Sequence, residues 1–222
     1  MIVPEKMKSL IDHWYCSVLL ILTVNAQADL TEMTRIFRLT PQLNHFEVCQ
    51  GGGCAKVSAA HLTLEDWQKV VAVFNPKAQN AEQERVQIAD AIGVLEGVVG
   101  KKVGTDTDLA GTFDNSDTPG QMDCNDEAIN TTTYMRLLKQ AGLMQLHDIE
   151  DTRTRNFFFT GWPHSTAVIH EIASKQRYAV DSWFYDNGHP ATIVPFEQWK
   201  ANYEPADSPV GKPRKHAAQS NQ

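Results

Sequence analysis

Residues 121–128 read QMDCNDEA, and this stretch ends a long polar loop and begins a helical pattern. Apolar residues follow at helical spacing up to Ala141, and Gly142 stands where a helix C-terminal cap is expected. Asp123 is a suitable N-cap, which places Cys124 in the first helical turn. The helix dipole there can lower a cysteine pKa well below about 8.5. The neighbouring carboxylates oppose that shift, so the pattern calls for a cationic partner.

Two strand-like segments downstream carry residues that could serve such a cysteine. Residues 162–170 contain His164 near the start and His170 at the end, and residues 177–184 contain Asp181. A polar turn at residues 174–176 joins the two segments. A helical cysteine, a histidine on a strand and an aspartate on the next strand supply a nucleophile, a base and a group that orients the base.

These residues and their surroundings resemble a known family. Cys124 lies in a D-C-x-D-x-A helix start, His164 in a P-H strand start and Asp181 in a Y-A-V-D-S-W strand. Together they resemble the triad of bacterial transglutaminase-like proteins, a branch of the papain-like cysteine superfamily. The resemblance covers residues 120–183. It implies an α+β fold in which the catalytic helix packs on an antiparallel sheet.

The identity of the base is open on the sequence alone. If the turn is centred near Lys175, hairpin register makes His170 the closer neighbour of Asp181. The family pattern instead selects the histidine that begins the strand. We favour His164, which requires a bulge or a longer turn in this hairpin.

The predicted activity is thiol acyl transfer by an exported enzyme, either a cysteine peptidase or amidase or a transglutaminase-like transferase. The expected substrate is a peptide or protein amide, with cell-envelope material as one candidate, and no cofactor is required. Backbone N–H groups near Cys124 would stabilise the oxyanion, and Gln121 is a weaker candidate donor. The alternative is a non-catalytic periplasmic binding or structural protein on the same fold.

The N-terminus has the features of a secretory signal. Basic residues precede an apolar run at residues 14–24, and Ala26-Gln27-Ala28 fits the small-x-small cleavage pattern. We therefore predict a signal peptide at residues 1–28, one domain at 29–204 and a disordered tail at 205–222. The protein would be periplasmic or secreted, with no stable membrane span after cleavage. An uncleaved anchor or a buried helix is the alternative for the apolar run.

If the chain is exported as predicted, its compartment favours disulfide formation by the cysteines that remain after cleavage. Cys49 and Cys54 flank a Q-G-G-G loop, and a disulfide between them is expected in an oxidising compartment. Cys124 then stays free, as a nucleophile must. A metal site of these two cysteines with His61 is the weaker alternative, because no fourth ligand has a usual spacing.

An acidic loop precedes the cysteine helix. Asp106, Asp108, Asp114 and Asp117 match four positions of the twelve-residue calcium loop, with Gly111 at the sixth. Ala110 breaks the fifth position, and a solvated acidic loop is the alternative reading. Calcium is accordingly a weak prediction.

Composition limits the partners. The 222-residue chain has 42% hydrophobic residues and a net charge of −7, which suits a globular protein and argues against nucleic-acid binding. The remaining pattern predicts two further helices. The first begins at Thr63, where Thr63-Leu64-Glu65-Asp66 resembles a capping box, and Leu64 belongs to its apolar face. The second begins at about Asn80 and stops at Gly100, and its apolar stripe consists of Ile88, Ile92, Leu95 and Val99. Strand-like runs occur at residues 35–39, 45–48 and 157–159, and residues 193–200 suggest a short strand leading into a helical turn.

Overall fold

The computed structural model describes residues 34–36, 38–113, 118–156, 163–210 and 212. These residues form helices and two antiparallel sheets, as expected for an α+β protein. The predicted signal segment, the run at 157–159 and most of the predicted tail lie outside the described residues. Among the helices that the structure describes, none is long and apolar enough to cross a membrane.

Two helices in the first half of the chain form one wall of the core. Helix α1 spans Leu64–Val73 and has the predicted capping box, with Thr63 and Asp66 each bonding the other's backbone N–H. Helix α2 spans Ala81–Val103 and begins at the Asn80 cap. The predicted stripe of α2 is buried as expected: Ile88, Ile92, Leu95 and Val99.

Helix α2 passes through Gly100, where the sequence predicted its end. It stops instead at Gly104, which has φ +83° and forms the left-handed cap. A Cβ at position 100 would lie 3.0 Å from the backbone of Asp106. Gly100 is therefore explained by the close return of the following loop against the helix.

Helix α3 spans Cys124–Gln140 and carries the cysteine at its first position, with Asp123 as the N-cap. Its buried side chains, including Met135 and Leu138, share the main core with Ala167 and Ile169 of the larger sheet. The predicted packing of the cysteine helix on an antiparallel sheet is thus present in this arrangement.

The strands form two separate sheets. Strands β1 (Phe46–Gln50) and β2 (Lys56–Ala60) make a hairpin. Strands β3 (His147–Arg155), β4 (His164–Glu171), β5 (Arg177–Asp181) and β6 (Thr192–Pro195) make the larger sheet, in that order. Helix α4, Phe196–Lys200, follows β6 directly, as the sequence predicted for this segment.

Three local expectations differ from the structure. Residues 34–36 and 38 are helical, where the sequence predicted a strand. Strand β3 was not predicted at all, because its residues are mostly charged or polar and only partly buried. Residues 205–210 belong to the described chain and Ser208 is buried, so the packed chain continues past the predicted boundary at 204.

The stability of the core can be tested with one matched pair of substitutions. Leu95 is 0% exposed on α2, whereas Leu64, which the sequence placed on the buried face of α1, is 74% exposed. Leu95→Ala leaves a cavity and should lower the free energy of unfolding by about 2–5 kcal/mol. Leu64→Ala should change it by less than about 0.5 kcal/mol. Urea unfolding of both variants checks this, and comparable losses would contradict the packing described.

Candidate active site

The loop closed by the Cys49–Cys54 disulfide holds the N-terminus of α3. The sulfur atoms are bonded, which confirms the predicted pairing and leaves both cysteines unable to act as thiolate metal ligands with His61. Backbone N–H groups of Gly52 and Cys54 donate to the Asp126 carboxylate at 2.8 and 2.6 Å. Gly53 donates to Asp123 at 3.0 Å. Successive N–H groups pointing the same way form a concave anion site.

That anion site is possible because of the loop's backbone conformation. Gly51, Gly52, Gly53 and Cys54 all have φ between +58° and +87°, the left-handed region that suits glycine. The Asp126 side chain also accepts from the N–H of Asp123 and completes a capping box. Burial raises the pKa of Asp126 to about 7, with a further contribution from Asp123, and the backbone donors oppose this rise.

Cys124 is buried just inside this anchored helix start. It is 6% exposed and packs with Trp183 and Phe184. Burial raises the pKa of the thiol to about 12, while a hydrogen bond from the backbone N–H of Ser165 acts in the opposite direction. The charges of Asp123 and Asp181 add to the increase. The lowered pKa that the helix dipole suggested is therefore wrong for this state, because burial and nearby carboxylates outweigh the dipole.

The structure brings His164 and Asp181 together. Nε2 of His164 lies 2.7 Å from Oδ2 of Asp181, and both side chains are buried. The indole N–H of Trp199 donates to the same oxygen at 2.7 Å. Because the carboxylate oxygen accepts from both, Nε2 of His164 carries a proton and Nδ1 is free to accept one. Nδ1 is buried and has no hydrogen-bond partner among the residues that the structure describes.

The ring of His164 stands among the same aromatic side chains that surround Cys124. Its centroid lies 4.6 Å from that of Trp183 and 5.5 Å from that of Phe184. The residue after it, Ser165, contacts the cysteine through its N–H and donates its hydroxyl to Asn125 Oδ1 at 2.7 Å. Strand β4 and helix α3 are thus joined beside both candidate residues.

His170 lies away from Asp181. In the β4–β5 register it pairs with Arg177, and its Nδ1 is 3.2 Å from Oε1 of Glu150. The chain reverses through four residues between Glu171 and Gln176, with Glu171 N–H donating to the Gln176 carbonyl. The turn is centred between Ala173 and Ser174 rather than near Lys175, and this earlier centre moves Asp181 toward His164. The uninterrupted register from residue 167 to 170 requires no bulge in this pair.

A buried arginine supports the indole that holds Asp181. Arg155 pairs with His164 across β3 and β4, and its guanidinium lies 4.8 Å from the Trp199 ring centroid. It donates to the carbonyl oxygens of Trp199 and Tyr203, the latter at 3.1 Å. Trp199 therefore has a fixed position as well as a fixed hydrogen bond.

Gln121 is occupied in the preceding loop. Its amide N–H donates to the Thr107 carbonyl at 2.8 Å, and its oxygen accepts from Leu109 N–H and the Thr112 hydroxyl at 3.2 Å each. A role in binding the oxyanion stays a prediction, and it would require this amide to leave the loop. Two backbone N–H groups, those of Cys124 and Ser165, already contact the cysteine sulfur.

Two of the four aspartates of the predicted calcium loop, Asp106 and Asp108, lie in the described chain. Asp106 is exposed, whereas Asp108 is buried and accepts from the Met122 N–H at 2.7 Å. Asp114 and Asp117 lie outside the described residues. Calcium binding stays a prediction.

Asp108 belongs to a buried cluster of carboxyl groups with Glu96 and Glu127. Burial, together with the charge of Glu127, raises the pKa of Asp108 to about 9 and that of Glu96 well above its usual range. Burial also raises the pKa of Glu127, which accepts a hydrogen bond from the Ser182 hydroxyl. Ser182 follows Asp181, so this cluster lies directly behind the site.

No family model matches this chain, and nothing matches it among the curated proteins or the solved structures.

Sequence reasoning missed two contributors to the site. Trp199 lies in the short helix α4 after β6, and no sequence motif marked it as a partner of Asp181. Arg155 ends a strand that was not predicted. Trp183, which ends the Y-A-V-D-S-W segment, contacts the His164 ring.

The carboxyl cluster predicts a dependence of stability on pH. Because burial raises the pKa of Glu96, the folded protein keeps a proton that the unfolded chain loses near pH 4.3. The free energy of unfolding should therefore fall as the pH rises above that value. Glu96→Gln should reduce this fall and be more stable than wild type at pH 8, because the amide needs no proton to stay uncharged in the buried site.

Urea unfolding at pH 5 and pH 8 measures the effect. Glu82→Gln is the matched control, because Glu82 is exposed on the same helix. An equal pH dependence for wild type and Glu96→Gln would show that Glu96 is not held protonated by the fold.

Proposed function

We propose that this protein is a thiol acyl-transfer enzyme in which Cys124 is the nucleophile, His164 the base and Asp181 the group that orients the base. It would act as a peptidase or amidase, or pass the acyl group to an amine as transglutaminase-like enzymes do. The transglutaminase-like branch of the papain-like superfamily is part of this proposal. It is supported by a helix that begins with cysteine and packs on antiparallel strands carrying histidine and aspartate.

One observation carries the proposal: the His164 imidazole is held as an oriented base. Asp181 fixes its Nε2 at 2.7 Å, and its buried Nδ1 has no partner in the described part of the chain. A buried acceptor without a partner is costly for stability, about 1–3 kcal/mol. A role as a base that accepts a proton during a reaction would explain why His164 Nδ1 is left without a partner.

The Cys124 thiol is not hydrogen-bonded to His164 Nδ1 in the described chain, so the proposed proton transfers require the two groups to approach each other when a substrate binds. His164 Nδ1 takes the proton from the Cys124 thiol as sulfur attacks the carbonyl carbon of an amide. The imidazolium then gives that proton to the leaving nitrogen as the carbon–nitrogen bond breaks, leaving a thioester on Cys124. Water or an amine attacks the thioester, His164 again accepts a proton, and the thiol is restored with that proton.

The raised pKa of Cys124 determines when the thiolate forms. With a thiol pKa of about 12, the cysteine is neutral at pH 7 in this state. Proton transfer to His164 therefore accompanies attack, rather than preceding it as a stable ion pair. The backbone N–H groups of Cys124 and Ser165, which lie at the sulfur, are proposed as donors to the oxyanion that attack creates.

Trp199 is proposed as a positioning residue. Its indole N–H and the imidazole share one oxygen of Asp181, so the carboxylate cannot rotate without losing both bonds. The substrate class stays a peptide or protein amide, including cell-envelope material. The disulfide suits an oxidising compartment, which supports the proposal of a periplasmic or secreted protein.

A second function is favoured by the burial of Cys124. A cysteine that is 6% exposed, with a pKa of about 12, has the properties of an inert core thiol. The second candidate is therefore a non-catalytic exported protein that binds a partner or serves a structural role on the same fold.

Acylation by an activated ester separates these two functions. The full chain is incubated with p-nitrophenyl acetate, and p-nitrophenol release and the acetylated residue are measured. An enzyme should acquire one acetyl group on Cys124, and His164→Ala should slow this by about 10²–10⁴-fold. His170→Ala, which changes a histidine that lies beside Glu150 and away from Asp181, is the control and should leave the rate unchanged.

The negative outcome is equally specific. Acetylation confined to surface amines, at the same rate in Cys124→Ala as in wild type and in a Ser208→Ala/Val210→Ser variant that uncovers the cysteine, would reject the enzyme and favour the binding protein.

Removal of one N–H donor tests the role of Trp199. Trp199→Phe keeps an aromatic ring beside Arg155 but leaves Asp181 with His164 alone. The acylation rate constant should fall by about 10-fold or more, with KM unchanged, because the loss affects orientation of the base and not ester binding. Trp67→Phe, on α1, is the matched control. Equal effects of the two variants, or a change confined to KM, would remove Trp199 from the site.

A further inference from the structure

Residues 203–210 cross the domain next to the candidate active site, and we refer to them as the C-terminal strap. Val210 packs against the cluster formed by Cys124, Trp183 and Phe184. The Ser208 hydroxyl donates to the Phe184 carbonyl at 2.6 Å, and the Tyr185 hydroxyl donates to Asp207 at 2.6 Å. The strap therefore contacts the residues that form the walls around the cysteine.

The loop before α3 packs closely against the strap at Gly111. Gly111 has φ +77°, and a Cβ there would lie 2.9 Å from the methyl groups of Val210. Gly111 N–H also donates to the Trp183 carbonyl at 3.0 Å. The strap, this loop and the segment after β5 thus meet at one place, beside Cys124.

The strap is held by isolated contacts and not by a strand ladder. Its backbone bonds among the described residues are local, such as Ser208 N–H to the Pro205 carbonyl. Pro205 and Pro209 have no N–H to offer a neighbouring strand. At its start, Arg155 bonds the Tyr203 carbonyl at 3.1 Å. A segment attached in this way can leave the domain without breaking the sheet or the core.

We propose that the C-terminal strap is an autoinhibitory element, which covers Cys124 in the resting chain and must be displaced before a substrate amide reaches the sulfur. This inference rests on the proposed function of Cys124 and concerns the regulation of the same site. Opening exposes the thiol to both water and substrate. The same movement makes the thiolate easier to form, since the charged form regains contact with solvent.

Thiol labelling tests the strap without assuming catalysis. The double variant Ser208→Ala/Val210→Ser in the full chain removes the Phe184 bond and the apolar contact. Iodoacetamide labelling of Cys124 at pH 8, located by peptide mass spectrometry, should be at least about 10-fold faster than in wild type. Ser174→Ala/Val86→Ser makes the same changes at exposed positions and should label at the wild-type rate.

A second variant guards against misfolding of the first. Tyr185→Phe removes only the exposed bond to Asp207 and should increase labelling in the same direction by a smaller factor. Unchanged labelling in both strap variants, or equal acceleration in the control double variant, would overturn the proposal.

Failure of the strap and failure of the enzyme give different results. Faster labelling of Cys124 without acetylation by p-nitrophenyl acetate supports the strap and rejects the enzyme. Acetylation at the same rate in wild type and the double variant supports the enzyme and rejects the strap.

Discussion

The hydrogen bonds from the disulfide loop to Asp123 and Asp126 are the constraint on which the site depends. A carboxylate as buried as that of Asp126 would strongly destabilise the fold without donors, and the loop supplies two N–H groups to it. These bonds also fix where α3 begins, and hence where Cys124 lies. The Cys49–Cys54 bond closes the loop that presents the donors, so the disulfide contributes to the site although neither of its sulfurs takes part in the proposed chemistry.

From that fixed helix start, the position of the base follows through side-chain contacts. Asn125 accepts from the Ser165 hydroxyl, which ties the first turn of α3 to the first residues of β4. On the other side of the histidine, Trp199 and Arg155 hold the carboxylate in place. The residues of the candidate site come from α3, β3, β4, β5 and α4, so no short segment of the chain contains the site. Its geometry is a property of the assembled sheet and its adjoining helices.

The sequence predicted the features that depend on neighbouring residues, namely helix caps and the apolar face of a helix. The capping box at Thr63, the cap at Asp123 and the apolar stripe of α2 depend on residues within a few positions of each other. Strand β3 was not predicted because its side chains are mostly charged or polar and form no apolar alternation. Its position is set by backbone pairing with β4, which the local sequence does not reveal. The choice of His164 over His170 depended on the position of the turn between β4 and β5. Residues 172–175 carry no diagnostic turn motif, so the sequence did not reveal that position. The disulfide was predictable because Cys49 and Cys54 flank a short glycine-rich loop, and the sequence also predicted export to an oxidising compartment.

The pKa of Cys124 was the hardest property to anticipate, and it also explains how the site could be regulated. A helix N-terminus lowers a thiol pKa by roughly one to a few units when solvent and a cation assist, but full burial can raise it as much. Which effect wins depends on what covers the sulfur, and here the cover includes residues distant in sequence, Trp183 and Val210 among them. The same thiol can therefore be inert when covered and reactive when opened, with no change in its helix. On the proposed function, inert and reactive behaviour are two states of one site, separated by whether the proposed strap remains in place.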